Sequence, residues 1–472
     1  MARPTLELSL LTDRDDPGPL TAQIAGQLRG ALADGRLATG ERLPSTRMLA
    51  GQLGVSRTVV TGAYAQLFAE GWVEGRHGSG TYVADGAPGR PRAGGAPETA
   101  APGDHGEGPA GDQALAPSVA PMIDLRPGIA WTAGIDRAAW RRAWRGAGMT
   151  VPAGLPDPRG SAGLRGALTG YLRRSRGVHC SVGQIVVTRG VAGSLGLIAA
   201  ALLRPGDRVG VEEPGYPAAR AVFAARGLRV VPCPVDSGGL RVDLLPQGLR
   251  LVYATPAHQY PLGGRLSVPR RRALTSWARD AGALIVEDDY DGEFRYDVAP
   301  LPALFGLDPE VVVYLGTTTK ILTPALRVGW LAASRGLAAR LAGAVGALGD
   351  YASGPAQDAL LGLIATGDLE RHIRRMRHDY ARRRAAITAV FGGGDAGRLL
   401  GDEAGMHMVL ETHAPAARVA AAAAARGVAV ATLERYFAGV VTRNGLVLGY
   451  GGARLPDVAR GCEILASILA GA

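Results

Sequence analysis

Six short apolar runs, at residues 184–187, 208–211, 228–231, 249–253, 283–286 and 311–315, limit most strongly what this chain can fold into. Each is nearly free of polar residues, so each reads as a strand buried on both faces rather than on one. Between them lie helical patterns with their loops. Strands buried on both faces and joined through helices make a largely parallel sheet covered by helices, an α/β architecture. From about residue 337 to the end, with an alanine-rich helix over 415–426, a smaller α+β lobe is expected.

Residues 85–120 cannot belong to such a core. They are dominated by Gly, Ala and Pro, contain no aromatic residue, and bury too little to offset their ordering entropy. The segment predicts a flexible linker between two parts, residues 1–84 and residues 121–472. In the first part, Ile24, Leu28, Ala31 and Leu32 give one apolar face to a helix over 21–33. Ser45 is placed to cap a short helix and Ser56 a longer one over 57–70. Two strands around Val73 and Tyr82, joined by the turn Arg76-His77-Gly78-Ser79-Gly80, complete a winged helix-turn-helix. Ser45, Arg47, Ser56, Arg57, Thr58, Arg76 and His77 are the candidate contacts to double-stranded DNA. Such a recognition helix presents its first turn to base edges while arginines hold guanine or phosphate. Net charge gives no support to this reading: the formal +10 lies beyond residue 84.

Of 52 basic residues, Lys320 is the only lysine. Arginine stays protonated and forms no imine, whereas a lysine amine can lose its proton and attack a carbonyl. Lys320 follows a strand in Gly316-Thr317-Thr318-Thr319-Lys320, and Arg327 comes soon after; three hydroxyls and an arginine suit a phosphate ester. Asp288, after the preceding strand, can pair with a pyridinium nitrogen, and Tyr290 can donate to a ring hydroxyl. Gly190 and Val191 stand between a strand and a helix, where backbone N–H groups bind phosphate. Tyr216 offers a ring for stacking. Together these are the parts of a pyridoxal 5′-phosphate (PLP) site.

The motifs LPSTRMLA, LGVSRTVV, EGWVEGRHGSGTYV, EEPGYP, TPAHQYPLG, EDDYDGEFRY, GTTTKILTPALRVGW and AGMHMVLE resemble the MocR/GabR subfamily of GntR-type transcriptional regulators, nearly end to end. That subfamily joins a winged helix-turn-helix to a fold-type I aminotransferase-like domain. The resemblance implies a Schiff base at Lys320, Asp288 on the pyridine nitrogen, Tyr290 on the ring oxygen and Tyr216 stacked. It places the phosphate at Gly190, Val191, Thr317, Thr319 and Arg327, and the carboxylate of an effector at Arg435. It also implies a head-to-tail homodimer that senses an amine, an amino acid or PLP. Where aminotransferases carry an Asn-Pro-x-Gly turn, this chain has Tyr260-Pro261-Leu262-Gly263, which favours sensing over turnover. An active aminotransferase bearing a DNA-binding domain is the alternative.

No metal is expected at the paired acids Asp288 and Asp289. Cys180, Cys233 and Cys462 are too scattered for a disulfide framework or zinc site. The arginine-rich stretch 371–384 reads as a solvated helix with one buried stripe, Ile373, Met376 and Tyr380. Lacking a long apolar span and a signal pattern, the chain is expected in the cytoplasm, with no membrane partner.

Overall fold

The computed structural model describes residues 10, 12–13, 18–33, 36–38, 40–76, 80–84, 122–149, 151–152, 154–297, 302–394 and 396–471. The expected linker at 85–120 and the wing residue His77 lie outside the described residues, and of Arg76 only the backbone is described. The chain divides into two compact units.

In the N-terminal unit the helices are α1 (Leu20–Ala33), α2 (Thr46–Leu53) and α3 (Arg57–Glu70). Both predicted caps form: the Ser45 hydroxyl accepts from the Met48 N–H at 3.2 Å and Ser56 from Val59 at 3.4 Å. Gly54, left-handed at φ 61°, ends α2 and makes the turn possible. The buried Tyr64 donates its hydroxyl to the Pro44 carbonyl at 2.8 Å, tying α3 to the start of α2. Ile24, Leu28, Leu49, Val60 and Leu67 fill the core between the helices. β1 (Val73–Arg76) and β2 (Gly80–Val83) pair antiparallel as the wing. Ser45→Ala removes one cap acceptor, and the melting transition of this unit in the full chain should report a loss of about 1 kcal/mol.

The second unit opens with β3 (Ile123–Asp124), followed by β4 (Ile185–Thr188), β5 (Arg208–Glu213), β6 (Arg229–Asp236), β7 (Gly239–Leu240), β8 (Leu249–Ala254), β9 (Leu284–Asp288), β10 (Val312–Thr317) and β11 (Gly329–Ala332). The large sheet has the order β4-β11-β10-β9-β8-β5-β6-β7. The run from β10 through β9, β8 and β5 to β6 is parallel, as the apolar runs predict. One central strand was not foreseen: β11 lies antiparallel between β10 and β4. Its apolar residues follow the lysine turn too closely for a helical crossover, so the chain reverses and pairs locally. Trp330 of β11 lies against Gly316, where an added Cβ would fall 2.3 Å from the indole nitrogen. That contact accounts for the glycine before the threonines.

The smaller lobe adds β12 (Arg398–Leu400), β13 (His407–Glu411), β14 (Val428–Ala429), β15 (Ala431–Thr432) and β16 (Gly445–Gly449). Its sheet has the order β12-β13-β16-β15, all antiparallel, while β14 pairs with β3 at the start of the unit. The alanine-rich helix spans Ala416–Ala425. The helix Asp368–Phe391 buries Ile373, Met376 and Tyr380 as expected. The purely solvated reading of its arginines is corrected at Arg383, which is 2 % exposed. Its two terminal nitrogens donate to the Tyr450 and Gly451 carbonyls and to Asp379, which offsets part of the cost of burial. Among the described residues no helix is long and apolar enough to cross a membrane.

Candidate functional site

In a parallel sheet the carboxyl ends of the strands open onto one edge, where the following turns can converge on a ligand. Every predicted cofactor residue except Arg327, which precedes the antiparallel β11, lies just beyond, or at the end of, such a strand. Gly190 and Val191 follow β4, Tyr216 follows β5, Asp288 ends β9 with Tyr290 next, and Thr317 ends β10 with Thr319 and Lys320 in the turn after it. The parallel register pairs Asp288 with Leu315 and so sets the acid beside the lysine turn.

Asp288 is buried. Its Oδ2 accepts a 2.5 Å hydrogen bond from the Tyr253 hydroxyl, while Oδ1 has no partner among the described residues. Burial raises its pKa to about 7; Tyr253 and the Lys320 charge pull the other way and Asp289 adds to the rise. A buried carboxylate oxygen with an unmet lone pair fits a ring N–H. Lys320 is half-buried, and its Nζ donates to the Gly128 carbonyl at 2.7 Å. Gly128 lies at φ 94°, and an added Cβ would come within 3.2 Å of that nitrogen.

At the helix Gly190–Leu202, Gly190 has φ 81° and open space where a Cβ would stand. The Thr317 hydroxyl accepts from the Thr319 N–H at 3.1 Å and donates to the Thr319 hydroxyl at 2.9 Å, which orients the latter's own hydrogen away. Thr318 does not join them: its buried hydroxyl donates to the Val328 carbonyl at 2.8 Å, so two hydroxyls, not three, suit a phosphate. Arg327 is exposed and has φ 54°, the sole non-glycine residue with positive φ among those described. Such strain gathers at ligand sites.

Tyr216 precedes the helix Pro217–Ala224 and meets Tyr260 edge-on at 5.9 Å. Tyr260, at the asparagine position of the turn, also packs its ring on Tyr290, His407 and Tyr436. Arg435 is exposed on the turn Leu433–Tyr436, which the Tyr216 loop grips: Gly215 N–H and Arg220 both donate to the Tyr436 carbonyl, at 3.0 and 2.8 Å.

Sequence reasoning missed four participants: Gly128, Tyr253, His258 and His407. It also gave Asp289 no role once a metal was set aside, whereas a buried ion pair to Arg176 and the Tyr314 hydroxyl hold it. The fold brings His258, Asp291 and His407, all buried, to within 4.8 Å at their ligand-type atoms. The three come from distant segments: His258 from the turn after β8, Asp291 from beyond β9 and His407 from the start of β13.

In the N-terminal unit, Arg47 starts α2 and Arg57 and Thr58 start α3, all exposed. Ser45 and Ser56 are exposed too, with hydroxyls engaged as caps. Arg57 also donates to the Thr46 hydroxyl at 3.3 Å.

Residues 20–83 match the family of bacterial regulatory proteins of the gntR type, and residues 137–439 match aminotransferase class I and II. The chain is 36% identical to the HTH-type pyridoxine biosynthesis transcriptional regulator PdxR of Corynebacterium glutamicum, over 94% of this chain and 95% of that one. It is 35% identical to the probable rhizopine catabolism regulatory protein MocR of Rhizobium meliloti, over 97% and 95%. Among solved structures, the kynurenine aminotransferase of Pyrococcus horikoshii is similar at TM-score 0.67 and 25% identity, covering 75% of this chain and 92% of that one. With a gntR-type helix-turn-helix ahead of an aminotransferase fold, and likeness to such regulators over almost its whole length, the chain belongs to the aminotransferase class I and II family, in the branch of MocR/GabR-type HTH transcriptional regulators.

Proposed function

We propose that this regulator binds PLP at Lys320 and changes its hold on DNA when an amine, an amino acid or PLP itself alters that site. The observation that carries the reading is the buried Asp288 Oδ1, without a partner among the described residues, set beside the half-buried Lys320 at the sheet edge. PLP supplies, when bound, an aldehyde carbon that amines capture reversibly and a pyridine ring that draws electrons from it. Asp288 would accept the pyridine N–H and hold that proton in place. Tyr216 would stack on the ring, and Tyr290 would donate to the ring oxygen. The helix start at Gly190 and Val191, with Thr317, Thr319 and Arg327, would bind the phosphate. Lys320 would hold the aldehyde carbon through its Nζ, the position for which an incoming amine would compete. Arg435 would bind that ligand's carboxylate, and the hold of the Tyr216 loop on the neighbouring Tyr436 carbonyl would carry ligand state into the position of the small lobe.

The N-terminal unit would bind double-stranded DNA through Arg47, Arg57 and Thr58, with Ser45 and Ser56 setting the helix starts and the wing at Arg76 and His77 following the backbone. In a cytoplasmic head-to-tail homodimer, effector binding would shift the balance between two arrangements of paired winged helices. Tyr260 in place of the turn asparagine supports sensing rather than turnover. Mixed with amino donors and keto acids, the PLP-loaded protein is therefore expected to give no sustained product.

Borohydride reduction of the PLP-loaded chain, followed by peptide mapping, tests the core of this reading. The label is expected on Lys320. An unlabelled Lys320 in protein that has been saturated with PLP overturns it.

A further inference from the structure

We infer that His258, held by Asp291, is a positioning residue that fixes Tyr290 as a hydrogen-bond donor toward the cofactor's ring oxygen and thereby sets the acidity of the Lys320–cofactor linkage. This rests on the reading of PLP at Lys320. His258 is 2 % exposed, and its Nδ1 lies 3.0 Å from Asp291 Oδ2 and 3.0 Å from the Tyr290 hydroxyl oxygen. A carboxylate oxygen only accepts, so Nδ1 carries the hydrogen. The Tyr290 oxygen shares that same N–H and accepts from it. Burial, followed by the Asp291 charge, pushes the Tyr290 phenol well above its ordinary pKa, so Tyr290 keeps its own proton. That proton cannot point back at an occupied Nδ1. It is directed outward, as a donor.

Packing holds the arrangement still. A Cβ on Gly405 would fall 2.1 Å from His258 Cε1, and one on Gly263 would lie 3.2 Å from Nε2, so the ring is enclosed on both sides. Nε2 has no partner among the described residues, so nothing on that side of the ring competes with the contacts at Nδ1. The other groups facing the pair leave this assignment standing. His407, whose ring centre is 5.0 Å away, is held neutral by burial, with its pKa lowered to about 3 and its Nε2 2.9 Å from the Pro261 carbonyl. Arg176 and Arg295 line the small cavity beside His258 and Asp291; Arg176 is paired with Asp289, and Arg295 reaches Asp297 and Asp402 through one terminal nitrogen. Lys320 and Asp288 act on the cluster through their charges.

A donor to the ring oxygen stabilises negative charge there and loosens that oxygen's hold on the proton of the neighbouring imine nitrogen. Removing the support behind the donor should tighten it. The full-length protein, loaded with PLP, is titrated by following its visible absorbance against pH. In His258→Leu the midpoint is expected to rise by about half to one pH unit. In His258→Asn, whose amide can place an N–H where Nδ1 stood, it is expected to return close to that of the unaltered protein. Asp291→Asn should raise it in the same direction and serves as the test if His258→Leu does not fold. In the double variant with Tyr290→Phe, His258→Leu should add nothing to the shift of Tyr290→Phe alone.

The inference is overturned by a midpoint that stays put while the visible band persists, or by a shift that survives in the Tyr290→Phe background. A midpoint that moves with a chelator or with added zinc also overturns it, since His258, Asp291 and His407 would then be metal ligands. Absence of the visible band and of a Lys320 label in the unaltered protein instead overturns the cofactor reading beneath it.

Discussion

Replacing Lys320 by alanine is expected to leave DNA binding measurable and to abolish the response to effector. The Nζ donates to the Gly128 carbonyl from a half-buried position, and the loss of that hydrogen bond should cost the fold about 1 kcal/mol. No other lysine exists in the chain to take over, because all remaining basic residues are arginines, which do not form imines. Affinity for a DNA fragment from upstream of the protein's own gene, measured with and without saturating PLP and with a panel of amines, should change with ligand in the unaltered protein. In Lys320→Ala the ratio should fall to about one. Loss of DNA binding itself in this variant would show that the lysine serves the fold and not the signal. An undiminished ligand response would show that sensing bypasses the covalent bond.

A second large effect is expected beneath the site. Arg176 is 1 % exposed; its guanidinium donates twice to Asp289 and once to the Gly292 carbonyl, at 3.0 Å, while the Tyr314 hydroxyl reaches the same carboxylate at 2.8 Å. Nearby, Glu293 accepts from Tyr171 at 2.6 Å, and burial followed by the Asp289 charge lifts its pKa to about 7. Arg176→Met removes the cation from a group of buried acids. Breaking such a pair from one side costs about 3–5 kcal/mol, because the remaining charge stays desolvated. Urea denaturation of the full chain should show that loss in the second unit. Converting Asp289 to leucine as well should recover most of it. The destabilisation should ease at lower pH: with Arg176 gone, protonation relieves the unpaired acids, so the folded state binds more protons and gains stability as pH falls. A loss below about 1 kcal/mol would mean that the acids had already found another partner. Cofactor affinity should fall with stability, since Asp289 adjoins Asp288 and an uncompensated charge there pushes the Asp288 carboxyl further toward its neutral form.

What the sequence alone determined is local or periodic. Ser45 and Ser56 marked the helix starts because a cap acts within three residues. Five of the six apolar runs marked the parallel strands and the other marked β4, which pairs antiparallel with β11, because strands covered on both faces have no polar face to alternate with. Lys320 stood out because one amine among arginines is a chemical distinction that needs no coordinates. Most strand boundaries moved by a residue or two, β6 ran five residues further than its apolar run, and β11 was missed, since its short apolar stretch carries no period to separate it from the lysine turn.

Tertiary structure alone decided the pairings between distant segments. Arg176 and Asp289 are 113 residues apart. His258 reaches Asp291 from another loop, and His407 approaches both from the small lobe. Arg383, one arginine among many on its helix, is buried against the Tyr450 and Gly451 carbonyls. No spacing rule encodes such contacts, because the chain between the partners is long enough to permit almost any approach. The order of strands and the packing of lobe on sheet select one. The sequence therefore named the lysine and the acid beneath it, and the fold supplied the histidine, tyrosines and ion pair that set their charge.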